Sequence, residues 1–174
     1  MTKDKQNRTR EAFLLGEINE ENMRQFSLRI RNLVSESPNE EITVYITSHG
    51  GSVSLALAFY DFANIIRARL TTIALGCADS AAIIILLTGK KRKAGKNTTF
   101  LIHHVRRSWR KETSFNPDNL RAESIDLEIK SEKMARLIAK ETGQSLANVK
   151  AQIAKEISLV SEEALNFGLI DKII

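Results

Sequence analysis

One stretch constrains this chain more than any other: Leu70 to Leu87, reading LTTIALGCADSAAIIILL. Its first part, Leu70 to Leu75, is short and rich in β-branched residues, which predicts a strand feeding a core. Its second part, Ala81 to Leu87, is apolar without interruption and predicts a buried helix. The small residues between them, Gly76 to Ser80, form the expected hinge. A lone hydroxyl, Ser80, therefore falls at the first turn of a helix packed inside the molecule, near unpaired backbone N–H groups and the positive end of the helix dipole. The simplest role for it is an N-cap, since serine is a favoured capping residue. A chemical role needs partners from elsewhere in the chain.

A chain of 174 residues, 43% apolar and 27% charged, can bury a sizeable core and has the balance of a soluble globular domain. Cys77 is the single cysteine, so no internal disulfide can form, and a reducing, cytoplasmic compartment is expected. The opening MTKDKQNRTR lacks the apolar segment of a secretory signal, and the run from Ala81 to Leu87 is far too short to cross a bilayer. The net charge of +5 gathers partly in two clusters, Lys90 to Lys96 and Arg106 to Lys111. Such clusters can bind phosphate backbones, but no interleaved aromatics or helix-turn-helix pattern accompanies them, which argues against a nucleic-acid partner.

No low-complexity segment divides the chain, so residues 1–10 are expected as a flexible tail and 11–174 as one domain. Ala12 to Ile18 reads as a strand ending near Gly16, followed by a helix capped by Asn19 with Glu20 and Glu21 in its first turn. Met23, Phe26, Ile30, Leu33 and Val34 give that helix a buried stripe. Glu41 to Thr47 alternates as a strand should, and a helix carrying Leu55, Ala58, Phe59 and Phe62 follows. Lys90 to Lys96 reads as a basic hairpin leading to a strand over Thr98 to His104. Residues 105–118 read as irregular. Glu123 to Lys140 predicts a long helix, charged on most faces and suited to projecting from the body or packing on another subunit, with Gly143 as its stop. A helix over Leu146 to Lys155, a brief helix capped by Ser161, and a last strand over Leu169 to Ile174 complete the α/β pattern.

Two strand–glycine turn–helix units thus recur. Gly50-Gly51 leaves backbone N–H groups unobstructed, as stabilising the oxyanion of acyl transfer requires, although a tight turn alone would use the same residues. The chain has only three histidines, His49, His103 and His104. A serine nucleophile needs a base within hydrogen-bond reach, and histidine suits neutral pH. His103 and His104 end a predicted strand on opposite faces, so one can turn inward. A third member would be a carboxylate near the C-terminus that orients the imidazole, and spacing alone does not select which.

The stretches FLLGEI, ITVYITSHGGSV, ALAFYDFA, GCADSAA, FLIHH, ETGQ and SEEALNFGLID follow one another in an order and at separations that resemble the proteolytic subunit of the Clp protease family, over roughly residues 11–174. The resemblance implies the ββα superhelix of that family, shared with the crotonase-type enoyl-CoA hydratases, bearing a protruding long helix. It also implies a serine endopeptidase that assembles into rings, heptameric and stacked in pairs, around a chamber where peptides or unfolded proteins are cut. An AAA+ unfoldase would be the partner, and neither cofactor nor metal is implied. Carried over residue by residue, the nucleophile is Ser80, the base His103, and the oxyanion donors the N–H groups of Gly51 and Ala81. Counting back from GLID puts Glu156 where the family carries an aspartate.

The chain also departs from the family pattern. Ile157 stands in place of an arginine that follows the aspartate, Asp79 in place of a small or hydroxyl residue, and His49 in place of a proline. The glycine-rich substrate-binding strand is replaced by RRSWRKETSFNPDN, and residues 1–10 are too few for the usual axial loop. These departures motivate an alternative, a poorly active subunit acting in assembly or regulation. Acyl-CoA chemistry on the shared fold would use the glycine turns but leaves the Ser80–His103 pairing without purpose.

Overall fold

The computed structural model describes residues 9–106 and 116–174. The expected tail over residues 1–8, and residues 107–115 with Arg107, Arg110 and Lys111 of the second basic cluster, lie outside the described residues. Arg10, expected in the tail, is instead anchored: its guanidinium donates to the carbonyls of Leu33 at 2.7 Å and Ser37 at 3.1 Å.

The chain opens with β1 (Glu11–Leu15), α1 (Glu20–Glu36), β2 (Ile42–Ser48) and α2 (Val53–Ile65). Asn19 caps α1 by accepting from the Asn22 N–H, and Met23, Phe26, Ile30 and Leu33 form the buried stripe that their spacing predicts. Along β2, Ile42, Val44, Ile46 and Ser48 are buried in strict alternation. The organising stretch becomes β3 (Leu70–Ala78) and α3 (Ala81–Leu86), and every residue of α3 is buried. Then come β4 (Lys91–Ala94), β5 (Thr99–Ile102), α4 (Pro117–Thr142), α5 (Leu146–Lys155), β6 (Ile157–Val160), α6 (Ser161–Phe167) and β7 (Lys172–Ile173).

Strands β1, β2, β3, β4 and β7 lie side by side in that order, and each neighbouring pair runs parallel. β5 and β6 stand off this sheet as an antiparallel pair, and β5 touches β3 through Cys77 and Thr99. β3 thereby serves two sheets. Its lower half follows β2 in register from Ile42↔Leu70 to Ile46↔Ala74, but the next pairing is Ser48↔Ala78. The step from Ile46 to Ser48 in β2 is thus matched by the longer step from Ala74 to Ala78 in β3, a bulge within which Cys77 also pairs with Thr99 of β5. Gly76 sits in it at φ 72°, which a residue with a Cβ adopts only at a cost. The expected hinge is therefore strand through Ala78, bent rather than ended.

Other differences from the sequence expectation have equally local causes. The basic hairpin is the strand β4, held between β3 and β7 because its backbone can pair on both sides while its cations reach outward to carboxylates. Lys91 meets Glu41 at 2.7 Å and Arg92 meets Asp171 at 2.9 Å, so these two cations of the first basic cluster are paired within the fold. β6 is an unexpected strand, made where Ile157 to Val160 finds β5 as an edge. Ser161 is the first residue of α6 rather than its cap, and its hydroxyl donates to the Gly95 carbonyl at 2.8 Å. His103 and His104 follow β5 instead of ending it.

α4 starts at Pro117, a residue suited to a first helical turn, and ends at Gly143 in the left-handed region with φ 74°. Met134, Ala135 and Ile138 are buried, whereas Leu120, Ile125 and Ile129 are each about half exposed, at 49%, 51% and 49%. The first half of the helix projects from the body, as its charge pattern predicts. No helix among the described residues is long and apolar enough to cross a membrane.

α3 is enclosed on all sides, so truncating it leaves a hole that its neighbours cannot close. Ile84→Ala, at a fully buried position, is expected to lower stability by about 2–5 kcal/mol in chemical denaturation.

Candidate active site

Ser80 lies at the junction of β3 and α3, at the N-cap position, but its side chain makes no capping hydrogen bond. Its backbone sits at φ 54° and ψ −124°, outside the regions that a residue with a Cβ normally occupies. The plain capping role is thus set aside, and the turn holds the hydroxyl in a strained setting instead. Strain of this kind persists only when the surroundings over-determine the conformation. Here the Ser80 N–H donates to the Leu101 carbonyl at 2.8 Å, the Leu101 N–H donates to Asp79 Oδ1 at 2.9 Å, and the Asp79 N–H donates to the Ser48 carbonyl at 2.9 Å. β2 and β5 both grip the same two-residue turn at the end of β3.

The glycine turn after β2 is fitted against it. A Cβ on Gly50 would lie 2.8 Å from both the Asp79 carbonyl oxygen and Ser80 Cβ, and Gly50 has φ 95°, so only glycine fits. Ile18 donates to the Gly50 carbonyl and accepts from the Ser52 N–H, which pins the turn from the other side. Among the described residues, neither the Gly51 nor the Ala81 N–H has a hydrogen-bond acceptor. Two free donors thus belong to the turns on either side of the Gly50–Ser80 contact.

His103 follows the end of β5, two residues beyond Leu101. His103 Nδ1 is buried and has no hydrogen-bond partner. Glu156 closes α5 in the left-handed region at φ 51° and hydrogen-bonds the Arg106 guanidinium. That hydrogen bond and the Arg106 charge hold the Glu156 carboxyl below the usual range, with smaller contributions from His103 and His104. The structure therefore joins Glu156 to Arg106 and leaves the inner nitrogen of His103 unpaired.

A second constellation flanks the serine turn. His49 Nδ1 lies 2.8 Å from Asp79 Oδ2, and His49 Nε2 lies 3.9 Å from Cys77 Sγ. Burial, and next the Asp79 charge, push the Cys77 thiol up. His49 and Asp79 were legible in the sequence only as departures from a family pattern. Their contact with each other and with Cys77 depends on the bulge in β3, which has no signature in the sequence beyond Gly76.

Two cavities adjoin the site. One of about 190 Å³ is lined by Gly51, Val105, Arg106, Leu127 and Lys130. The other, about 520 Å³, opens between α4 and α5 behind His104 and Val105, against Leu127, Ala135 and Ile153.

Comparison with known proteins agrees with this architecture. The profile of the Clp protease family matches residues 2–174. Among solved structures, an asparagine-to-aspartate mutant of ClpP1 from Listeria monocytogenes superposes with a TM-score of 0.85 at 29% sequence identity, covering 95% of this chain and 91% of that one.

The Glu156–Arg106 pair sets the sign of a pH effect. A carboxyl depressed in the folded state contributes stability above its unfolded pKa and loses it as pH falls through the folded value. Both partners are exposed, so the contribution is small. Arg106→Ala is expected to return the Glu156 carboxyl upward toward the ordinary glutamate range, read by NMR titration of the side chain.

Proposed function

The chain belongs to the Clp protease family, and from that premise we propose that it is a serine endopeptidase subunit acting on peptides or unfolded proteins. Ser80 is the nucleophile, His103 the base, Glu156 the carboxylate that orients His103, and the Gly51 and Ala81 N–H groups the oxyanion donors. The observation that carries this reading is the Ser80 turn: a strained, uncapped serine at the end of β3 clamped by β2 and β5, with unpaired N–H donors in the turns that meet there.

In the reaction, Ser80 Oγ attacks the scissile carbonyl and passes its proton to His103 Nε2. The oxyanion that forms accepts from the two N–H groups, fixed in advance and so needing no reorganisation. His103 then protonates the leaving amine, and water releases the acyl group by the same steps in reverse. The imidazolium needs an acceptor at Nδ1. In the resting arrangement that nitrogen is buried and unpaired while Glu156 is held by Arg106. Activation therefore requires Glu156 to exchange Arg106 for His103, and binding of substrate or of a neighbouring subunit is the natural trigger. Rings, an AAA+ unfoldase partner and a cytoplasmic setting follow from the family and belong to the same proposal. The exposed first half of α4 supports association between subunits. The resting Glu156–Arg106 pair also favours one second reading, a poorly active subunit that serves assembly.

Intact-mass labelling with a fluorophosphonate separates the two. Stoichiometric addition to the wild-type chain, lost in Ser80→Ala and slowed at least about 10³-fold in His103→Ala, is expected of the peptidase. Arg106→Ala should label faster than wild type, because it frees Glu156. No addition to the assembled wild type or to Arg106→Ala would leave the assembly subunit as the reading.

A further inference from the structure

We infer that His49, Cys77 and Asp79 form a binding site for a borderline-soft divalent cation of the zinc class, separate from the serine machinery. One ligand atom from each residue, an imidazole nitrogen, a thiol sulfur and a carboxylate oxygen, lies within 4.8 Å of the other two. A tetrahedral zinc with bonds of about 2.0–2.3 Å sets its nitrogen, oxygen and sulfur ligands roughly 3.3–3.6 Å apart. His49 faces the other two ligands through different ring nitrogens, Nδ1 at 2.8 Å from Asp79 Oδ2 and Nε2 at 3.9 Å from Cys77 Sγ, and an ion would take one of the two, with the cluster drawing in from within 4.8 Å toward that spacing. His49, whose side chain is 88% exposed, is the ligand that would turn to seat the ion.

The other two ligands are held in place. Asp79 Oδ1 accepts from the Leu101 N–H, which orients the carboxylate and leaves Oδ2 facing His49. This is the arrangement in which an outer hydrogen bond fixes a ligating group. Cys77 is carried to the cluster by the β3 bulge and is 9% exposed, so its sulfur is presented from the protein side while His49 closes the site from solvent. A mixed nitrogen, sulfur and oxygen set suits zinc or cobalt and not magnesium or calcium, which prefer oxygen alone. Three protein ligands leave a fourth position open to water.

Binding displaces the proton of the Cys77 thiol, and any proton on the ligating imidazole nitrogen, to solvent; the ion's charge offsets the cost of a buried thiolate. It also neutralises the Asp79 carboxylate one residue from Ser80. Because His49 adjoins Gly50 and Asp79 adjoins Ser80, an ion here ties the glycine turn to the serine turn. The inference does not rest on the peptidase reading.

Cobalt(II) titration of the tag-free full-length chain under reducing conditions tests it directly. The expected result is a tetrahedral d–d spectrum with a thiolate charge-transfer band, saturating at one ion per chain with micromolar half-saturation, and displaced by zinc. His49→Ala, which removes the exposed ligand, should weaken binding about tenfold or more. Cys77→Ser should remove the charge-transfer band. Absence of the band in the wild type, its survival in Cys77→Ser, or unchanged affinity in His49→Ala would each overturn the assignment. Fluorophosphonate labelling of the same samples reads the serine site separately, so the failure of one reading is not mistaken for that of the other.

Discussion

The structure depends on the two hydrogen bonds that Leu101 makes with the Asp79–Ser80 turn. The Leu101 carbonyl accepts from Ser80 N–H, and its N–H donates to the Asp79 carboxylate. The acceptor in the second bond is a buried carboxylate, which makes it the stronger kind of hydrogen bond. Together they hold a serine at a positive φ that it would otherwise relax. They also tie β5, and the histidines beyond it, to the end of β3. This clamp adds to the single Cys77–Thr99 pairing that otherwise joins the serine turn and the histidine segment.

What makes the clamp reachable is the way β3 divides its pairing. A regular parallel strand would continue alongside β2 and keep its side chains alternating across one sheet. The bulge between Ala74 and Ala78 spends extra residues to re-aim the strand, so that Cys77 pairs with Thr99 while Ala78 still pairs with Ser48 of β2. The same bend brings Cys77 beside His49 and lets the fully buried helix α3 follow at once. Bulges re-aim side chains at the cost of ladder hydrogen bonds. Here the Thr47 hydroxyl recovers one of them by donating to the Leu75 carbonyl at 2.8 Å.

The charged groups around the site are nearly all committed. Asp79 serves Leu101 and His49, Glu156 serves Arg106, and Arg92 joins β4 to Asp171 and to the Glu141 carbonyl. Against that background the unpaired Nδ1 of His103 stands out, since buried polar atoms without partners are rare in folded proteins.

Read alone, the sequence determined the α/β layering, most element positions, the burial of Ala81 to Leu87, the stripe on α1 and the projecting half of α4. Each of these follows from periodicity and local capping chemistry, which act over a few residues. The glycine turns and the resemblance carried by short ordered motifs also singled out Ser80, His103, Gly51, Ala81 and Glu156. Tertiary structure alone decided the rest. That Lys91 to Ala94 is a strand, that Ile157 to Val160 pairs with β5, and that Glu156 faces Arg106 all depend on partners distant in the chain. So does the meeting of His49, Cys77 and Asp79, which a strand bulge and a backbone clamp from β5 bring about. Hydrogen bonding between remote segments leaves no period in the sequence, and these contacts became visible only once the chain was folded.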